Sequence, residues 1–266
     1  MIRVQVKILF SLLALAFLGC VIAGSYYLYQ KEFRKDNEAR KEIENRGEQP
    51  LPDPGKNKFA KSVEHLRSGD LETAQEGLLE LVRLYKDSSK HSEAKRIIGE
   101  SNMDALLEPR LGPGKKEYIV QSGDALARIA NKNETTILCI QRTNGMFNTL
   151  IHPGDRLIVF PLDFSMVIDV EDKTLTLMRK ERFFKEYPIV EVRVPSSVRI
   201  PFKTTIASRS TDRKWLNLKS GAIVIASADA TGAEGNSPSR GIFLDPADME
   251  ELFTVTRSST PVKVVR

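Results

Sequence analysis

Thiol and imidazole groups build most covalent catalysis and most transition-metal centres, and this chain of 266 residues carries five of them: Cys20, Cys139, His65, His91 and His152. A nucleophilic cysteine needs a base or a cation beside it, and zinc or copper sites need His or Cys at close spacing. Neither spacing is present. Cys20 lies in an apolar run, and Cys139 sits between Leu138 and Ile140 in a helical pattern, where a small core residue is the simplest reading. Two such cysteines make no disulfide framework. Residues 162–266 hold neither cysteine nor histidine. The acidic residues Asp245, Asp248, Glu250 and Glu251 surround a helix start at Pro246, where the helix dipole favours negative charge. No metal or other cofactor is expected.

Recognition chemistry is better represented. Tyr118-Ile119-Val120 is β-prone, Ser122-Gly123-Asp124 is turn chemistry, and Leu126, Ile129 and Ala130 fall at helical spacing. Thr135 and Thr136 can cap a second helix carrying Ile137, Leu138 and Ile140, which Asn144-Gly145 stops. Pro153-Gly154-Asp155 then turns the chain into Leu157-Ile158-Val159-Phe160. The order is βααβ within one short stretch, whose helices and paired strands must share a thin core.

With Arg128-Ile129-Ala130 and Ile151-His152-Pro153-Gly154-Asp155-Arg156-Leu157 at these positions, residues 117–161 resemble a LysM domain. The resemblance implies binding of an N-acetylglucosamine polymer, such as peptidoglycan or chitin, in a shallow groove between two loops. Carried over, the first loop supplies Ser122, Gly123, Asp124, Ala125 and Leu126. The second supplies Met146, Asn148, Thr149, Leu150 and Ile151. Ala125 stands where the family usually has Thr, which removes a hydroxyl available to a sugar. Read without the family, Gly123-Asp124 and Pro153-Gly154-Asp155 are also ordinary turns.

The elements around this stretch set its surroundings. Ile8 to Leu28 is uncharged over 21 positions between Lys7 and Lys31, long enough for a bilayer core of about 30 Å. Residues 1–30 are expected to be a transmembrane signal anchor; a cleaved signal peptide and a lipoprotein site at Leu18-Gly19-Cys20 are the alternatives. Lys31, Arg34, Lys35, Arg40, Lys41 and Arg46 outnumber Arg3 and Lys7, which by the positive-inside rule would keep the body in the cytoplasm. A wall glycan requires the opposite, so the expectation is a single-pass inner-membrane protein with its body facing the periplasm or cell wall.

Residues 31–58 read as a charged stalk and proline-rich linker, with 12 charged side chains among residues 31–48. Within residues 59–110, Phe59, Val63 and Leu66, then Ala74, Leu78, Leu81, Val82 and Tyr85, then Ala94, Ile97, Ile98 and Met103 form apolar helical stripes. The Gly69-Asp70 break followed by Leu71 and Ala74 resembles one tetratricopeptide-like hairpin, without a second copy. The segment is a helical spacer or an adaptor that recruits other envelope proteins. Net charge of +5 is spread along the chain, which excludes the basic stripe that nucleic-acid binding needs.

From residue 162 the pattern turns β-rich: Ser165 to Val170, Thr174 to Met178, Phe184 to Val194, Lys203 to Ala207, Ala222 to Ala226 and Pro261 to Val265. One helix, Pro246 to Phe253, is capped by Asp245. Val167-Ile168-Asp169-Val170, Tyr187-Pro188-Ile189-Val190, Ile200-Pro201 and Gly241-Ile242-Phe243-Leu244-Asp245-Pro246 resemble an L,D-transpeptidase catalytic domain, the cysteine enzyme that cross-links peptidoglycan stems. That family's motif is Ser-His-Gly-Cys followed by an apolar residue, Arg and Leu, with an earlier His. Counting back from Leu244, Gly241 stands at the Cys position, Ser239 at the His position and Phe243 at the Arg position, while Ala226 stands at the earlier His. The chain is therefore expected to be a multidomain α+β protein whose residues 162–266 form a non-catalytic relative of L,D-transpeptidases. An L,D-transpeptidase with atypical catalytic groups, Ser239 as nucleophile, is the enzymatic alternative.

Overall fold

The structure is a computed structural model that describes residues 23–31, 53–211, 215–221, 223–231 and 238–266. It divides into two units at Asp53. Of the first, only residues 23–31 are described, as a helix (α1) that exposes Tyr26, Tyr27, Leu28 and Tyr29. Most of the uncharged run from Ile8, and all but the first residue of the charged stretch 31–48, lie outside the described residues. Among the described residues no helix is long and apolar enough to cross a membrane.

The second unit, Pro54–Arg266, begins with α2 (Pro54–Ser68), α3 (Leu71–Leu84) and α4 (His91–Leu107). The three apolar stripes become one cluster of Phe59, Leu78, Leu81, Ala94 and Ile98, flanked by Val63, Leu66, Val82 and Tyr85. Gly69 adopts φ +83° between α2 and α3, a left-handed value that glycine takes without strain. Asp70 then caps α3 by accepting from Thr73 N at 3.3 Å.

Next come β1 (Lys116–Ile119), α5 (Leu126–Lys132), α6 (Ile137–Thr143) and β2 (Arg156–Val159), the βααβ order read from the sequence. The strands pair antiparallel, Lys116 opposite Val159 and Ile119 opposite Arg156. Val120, Leu126, Ile129, Ala130, Ile140, Leu157 and Val159 form the core of this unit. Thr136 caps α6, its Oγ1 accepting from Cys139 N at 2.9 Å. Asn144 pins α6 to β2: its Oδ1 accepts from Ile158 N and its Nδ2 donates to the carbonyls of Ile140 and Ile158.

The rest is a closed barrel of eight strands: β3 (Phe164–Asp169), β4 (Thr174–Arg179), β5 (Arg182–Arg193), β6 (Phe202–Ser210), β7 (Trp215–Leu218), β8 (Val224–Ser227), β9 (Gly241–Leu244) and β10 (Pro261–Val265). Their order is β10-β3-β4-β5-β9-β8-β7-β6, with β10 pairing β6 to close the ring. The pairs β10·β3 and β8·β9 are parallel. Period-2 burial on β3 and β4 buries Phe164, Met166, Ile168, Leu175 and Leu177, as a sheet with one core face requires. The helix α7 (Pro246–Val255) follows β9, with Asp245 accepting from Ala247 N at 3.0 Å.

The barrel cluster extends beyond residue 162. Met103 and Leu106 of α4, Cys139 of α6, and Phe160 and Leu162 after β2 belong to it. Helix α4 also lies against β5 through polar contacts: Asn102 Nδ2 donates to Phe184 O at 2.7 Å, and Lys95 pairs with Glu186 at 2.8 Å. Lys185, 5% exposed, is held between Glu251 of α7 at 2.7 Å and Glu100 of α4 at 3.1 Å. Tyr187 donates its hydroxyl to Glu251 at 2.8 Å. Burial opposes the Lys185 charge, but the two carboxylates outweigh it and hold the ammonium pKa above its ordinary value.

Gly99 lies close against β5: a β-carbon there would lie 2.8 Å from Lys185 Cγ and 3.3 Å from its Cα. Gly99→Val should cost about 1–3 kcal/mol by overpacking. Gly112→Val, at a position with open space around it, should stay within about 0.5 kcal/mol of the parent. Urea melts of the two variants check this.

Candidate functional site

The predicted groove residues fall on two loops that lie side by side, because the β1–β2 ladder continues one step past the strands. Gly154 N donates to Val120 O, and Val120 N donates to Asp155 O, each at 2.9 Å. Gly123 (φ +84°) and Gly154 (φ +96°) turn the two loops in left-handed conformations with nothing within 4 Å of an added β-carbon. Each loop braces itself. Asp124 Oδ2 accepts from Tyr118 Oη at 2.8 Å and from Gln121 N at 2.9 Å. Asn148 Oδ1 accepts from Leu150 N at 3.0 Å, and Asp155 Oδ2 accepts from His152 N at 2.7 Å.

The ten predicted residues divide by burial. Leu126 is in the core of the βααβ unit, and Met146 and Ile151 are half-buried against it. Asp124 is half-exposed, with one carboxylate oxygen bound to its own loop. Ser122, Gly123, Ala125, Asn148, Thr149 and Leu150 are exposed. Phe147, spanned by the second loop but not singled out from the sequence, is fully exposed beside them. Its signal was an apolar pair, Met146-Phe147, directly after the Asn144-Gly145 stop: one of the two must face water.

The surface formed this way offers the apolar faces of Phe147 and Leu150, hydroxyls from Ser122 and Thr149, and exposed loop backbone. It suits a neutral ligand that alternates apolar faces with hydroxyl and amide groups. It carries no nucleophile paired with a base. Cys139 is 1% exposed, and burial pushes its thiol pKa up to about 11, so the sulfur is protonated and out of reach at neutral pH.

On the barrel, the positions counted from Leu244 lie on or next to β8 and β9. Ala226 on β8 is paired with Phe243 on β9, both fully buried. A β-carbon at Gly241 would sit 2.8 Å from the Val224 carbonyl oxygen, so a side chain there requires the backbone to move. Ser239 is exposed just before β9.

The two-loop unit is decided by comparison with known families. Residues 118–160 match the LysM domain. No curated protein matches the chain. Solved structures similar to it include L,D-transpeptidases. The catalytic domain from E. faecium is 18% identical, with 38% of this chain and 96% of that one covered and a TM-score of 0.31. L,D-transpeptidase 1 of Mycobacterium tuberculosis is 14% identical over 42% of this chain and 67% of that one, TM-score 0.31. The Mycobacterium smegmatis enzyme is 9% identical over 58% and 83%, TM-score 0.32.

Asp124 links the first LysM loop to pH. The Gln121 N–H, and then the Tyr118 hydroxyl, hold its carboxyl below the ordinary value of 3.8. A depressed carboxyl stabilises the folded loop above the unfolded pKa, and that contribution fades as pH falls through the folded one. The Gln121 amide should therefore lose its protection from hydrogen exchange only with a midpoint below the ordinary carboxyl value of 3.8. Asp124→Asn should remove this transition, as read by amide exchange in an acid titration.

Proposed function

We propose that this chain is a membrane-anchored cell-envelope protein that binds peptidoglycan, or a related N-acetylglucosamine polymer, through its LysM domain, and that its barrel is a non-catalytic relative of L,D-transpeptidases. The observation that carries the reading is the LysM match at residues 118–160. LysM domains bind N-acetylglucosamine-containing glycans such as peptidoglycan. An exposed two-loop surface with Phe147 and Leu150 on it is consistent with such a polymer, whose sugars offer apolar ring faces and acetamido groups.

Absence of catalysis is supported by composition and by space. Residues 162–266 have no thiol and no imidazole, Gly241 has no room for a side chain, and Cys139 is buried. Anchoring is supported by the uncharged run from Ile8 to Leu28 and by exposed Tyr26, Tyr27 and Tyr29 at its end, since tyrosines favour the membrane–water boundary. With the LysM domain facing peptidoglycan, the body lies on the outer side of the inner membrane.

Three measurements test the reading. The chain should co-sediment with insoluble peptidoglycan, and Phe147→Ala should weaken binding about tenfold, roughly 1.4 kcal/mol, while the melting temperature stays unchanged. Unaltered sedimentation of the variant would remove the two-loop surface from the account. Expression of the chain in cells lacking L,D-transpeptidases should leave muropeptide cross-links unchanged, whereas new cross-links would make the barrel an enzyme. A reporter active only after export, fused after Arg266, should be active; a silent reporter would reverse the orientation.

A further inference from the structure

A second cavity lies on the barrel side of the LysM domain, away from the two loops. It has a volume of about 410 Å³ and is bounded by Ile137 and Leu138 of α6, Arg209 on β6, Thr211, Phe253 of α7 and Ser258. That size is within the range of small-molecule sites, which are mostly apolar with a few placed polar groups.

Arg209 is the unusual member. Its guanidinium stacks 4.2 Å from the centroid of the Phe253 ring, and one Nη donates to Phe253 O at 2.5 Å. Its Nε is buried with no partner. Among the described residues no carboxylate pairs with it, and burial alone pulls its pKa down to about 10. The side chain is half-buried and stays charged at neutral pH. A half-buried cation with no carboxylate partner among the described residues favours an anion at its side, and an arginine fork matches an oxyanion. The described lining holds one cation and the hydroxyls of Ser208, Thr211 and Ser258. One positive charge matches a monoanion better than phosphate, which carries about −1.5 to −2 at neutral pH.

We propose that this cleft binds a small monocarboxylate with an apolar body, its carboxylate on the open side of the Arg209 guanidinium and its apolar part against Ile137, Leu138 and the Phe253 ring. The carboxylate can belong to a free acid or to a peptide C-terminus. Occupancy would bridge the LysM domain and the barrel, since the walls come from both.

Trp215, the only tryptophan in the chain, pairs with Ser210 next to Arg209 and supplies the signal. Trp215 fluorescence of the full chain should change saturably with hexanoate or N-acetyl-leucine, and the tighter of the two identifies a free acid or a peptide end. Uncharged N-acetyl-leucinamide should bind at least tenfold more weakly than the acid. Arg209→Met should weaken acid binding at least tenfold and Arg209→Lys less. Should Arg209→Met fail to fold by circular dichroism, Ser258→Phe fills the exposed mouth, leaves Arg209 in place and should weaken binding to the same degree. Equal affinity for acid and amide, unchanged binding by Ser258→Phe, or a response to inorganic phosphate alone would each overturn the proposal. Peptidoglycan sedimentation through the LysM loops should be the same in Arg209→Met and the parent, so failure here is separable from failure of the glycan reading.

Discussion

The fold depends on one apolar core that no single segment can complete. The barrel strands supply most of it, but Met103 and Leu106 come from α4, Cys139 from α6, and Phe160 and Leu162 from the chain leaving β2. Removing those residues from water is a favourable term proportional to the apolar area buried, and it is available only when helices, LysM domain and barrel are docked. Polar contacts then set the docking register: Asn102 on the Phe184 carbonyl, Lys185 between Glu100 and Glu251, and Thr136 Oγ1 donating to Thr254 O at 2.6 Å.

That shared core decides which faces of the LysM domain remain free. With Cys139 turned into the barrel cluster and Thr136 tied to α7, the α6 side is committed to packing. The loops after β1 and before β2 are left to solvent, and Asp124, Asn148 and Asp155 spend their side-chain oxygens shaping those loops. The proposed recognition surface is then made by backbone, small hydroxyls and two apolar side chains on a braced frame. Such a frame lowers the ordering cost of binding.

Much of this was legible in the residues. Alternation and turn chemistry marked β3, β4 and β10, and the helical stripes placed α2, α3 and α4, because each of these elements buries one face with a clear period. Asp245 before Pro246 marked the α7 cap, and Thr136 the α6 cap. Strands β7 and β9 were not among the expected β-runs, since Trp215-Leu216-Asn217-Leu218 and Gly241-Ile242-Phe243-Leu244 are too short for a pattern to rise above their surroundings. Burial within the groove loops was equally hidden: Leu126, Met146 and Ile151 turn inward while Phe147 turns out, a choice made by tertiary packing rather than by local sequence. Arg209 gave no signal at all. An arginine just past the Lys203 to Ala207 run reads as a solvated side chain until α7 and α6 are folded beside it.

The central claim is that the two LysM loops hold an N-acetylglucosamine polymer, and amide chemical-shift mapping with an N-acetylglucosamine tetramer tests it most directly. The account predicts saturable shifts at Ser122, Gly123, Ala125 and Phe147 to Leu150, with little change at Ile129 or Ile140 in the core. Absence of shifts, or shifts confined to other surfaces of the protein, would contradict it.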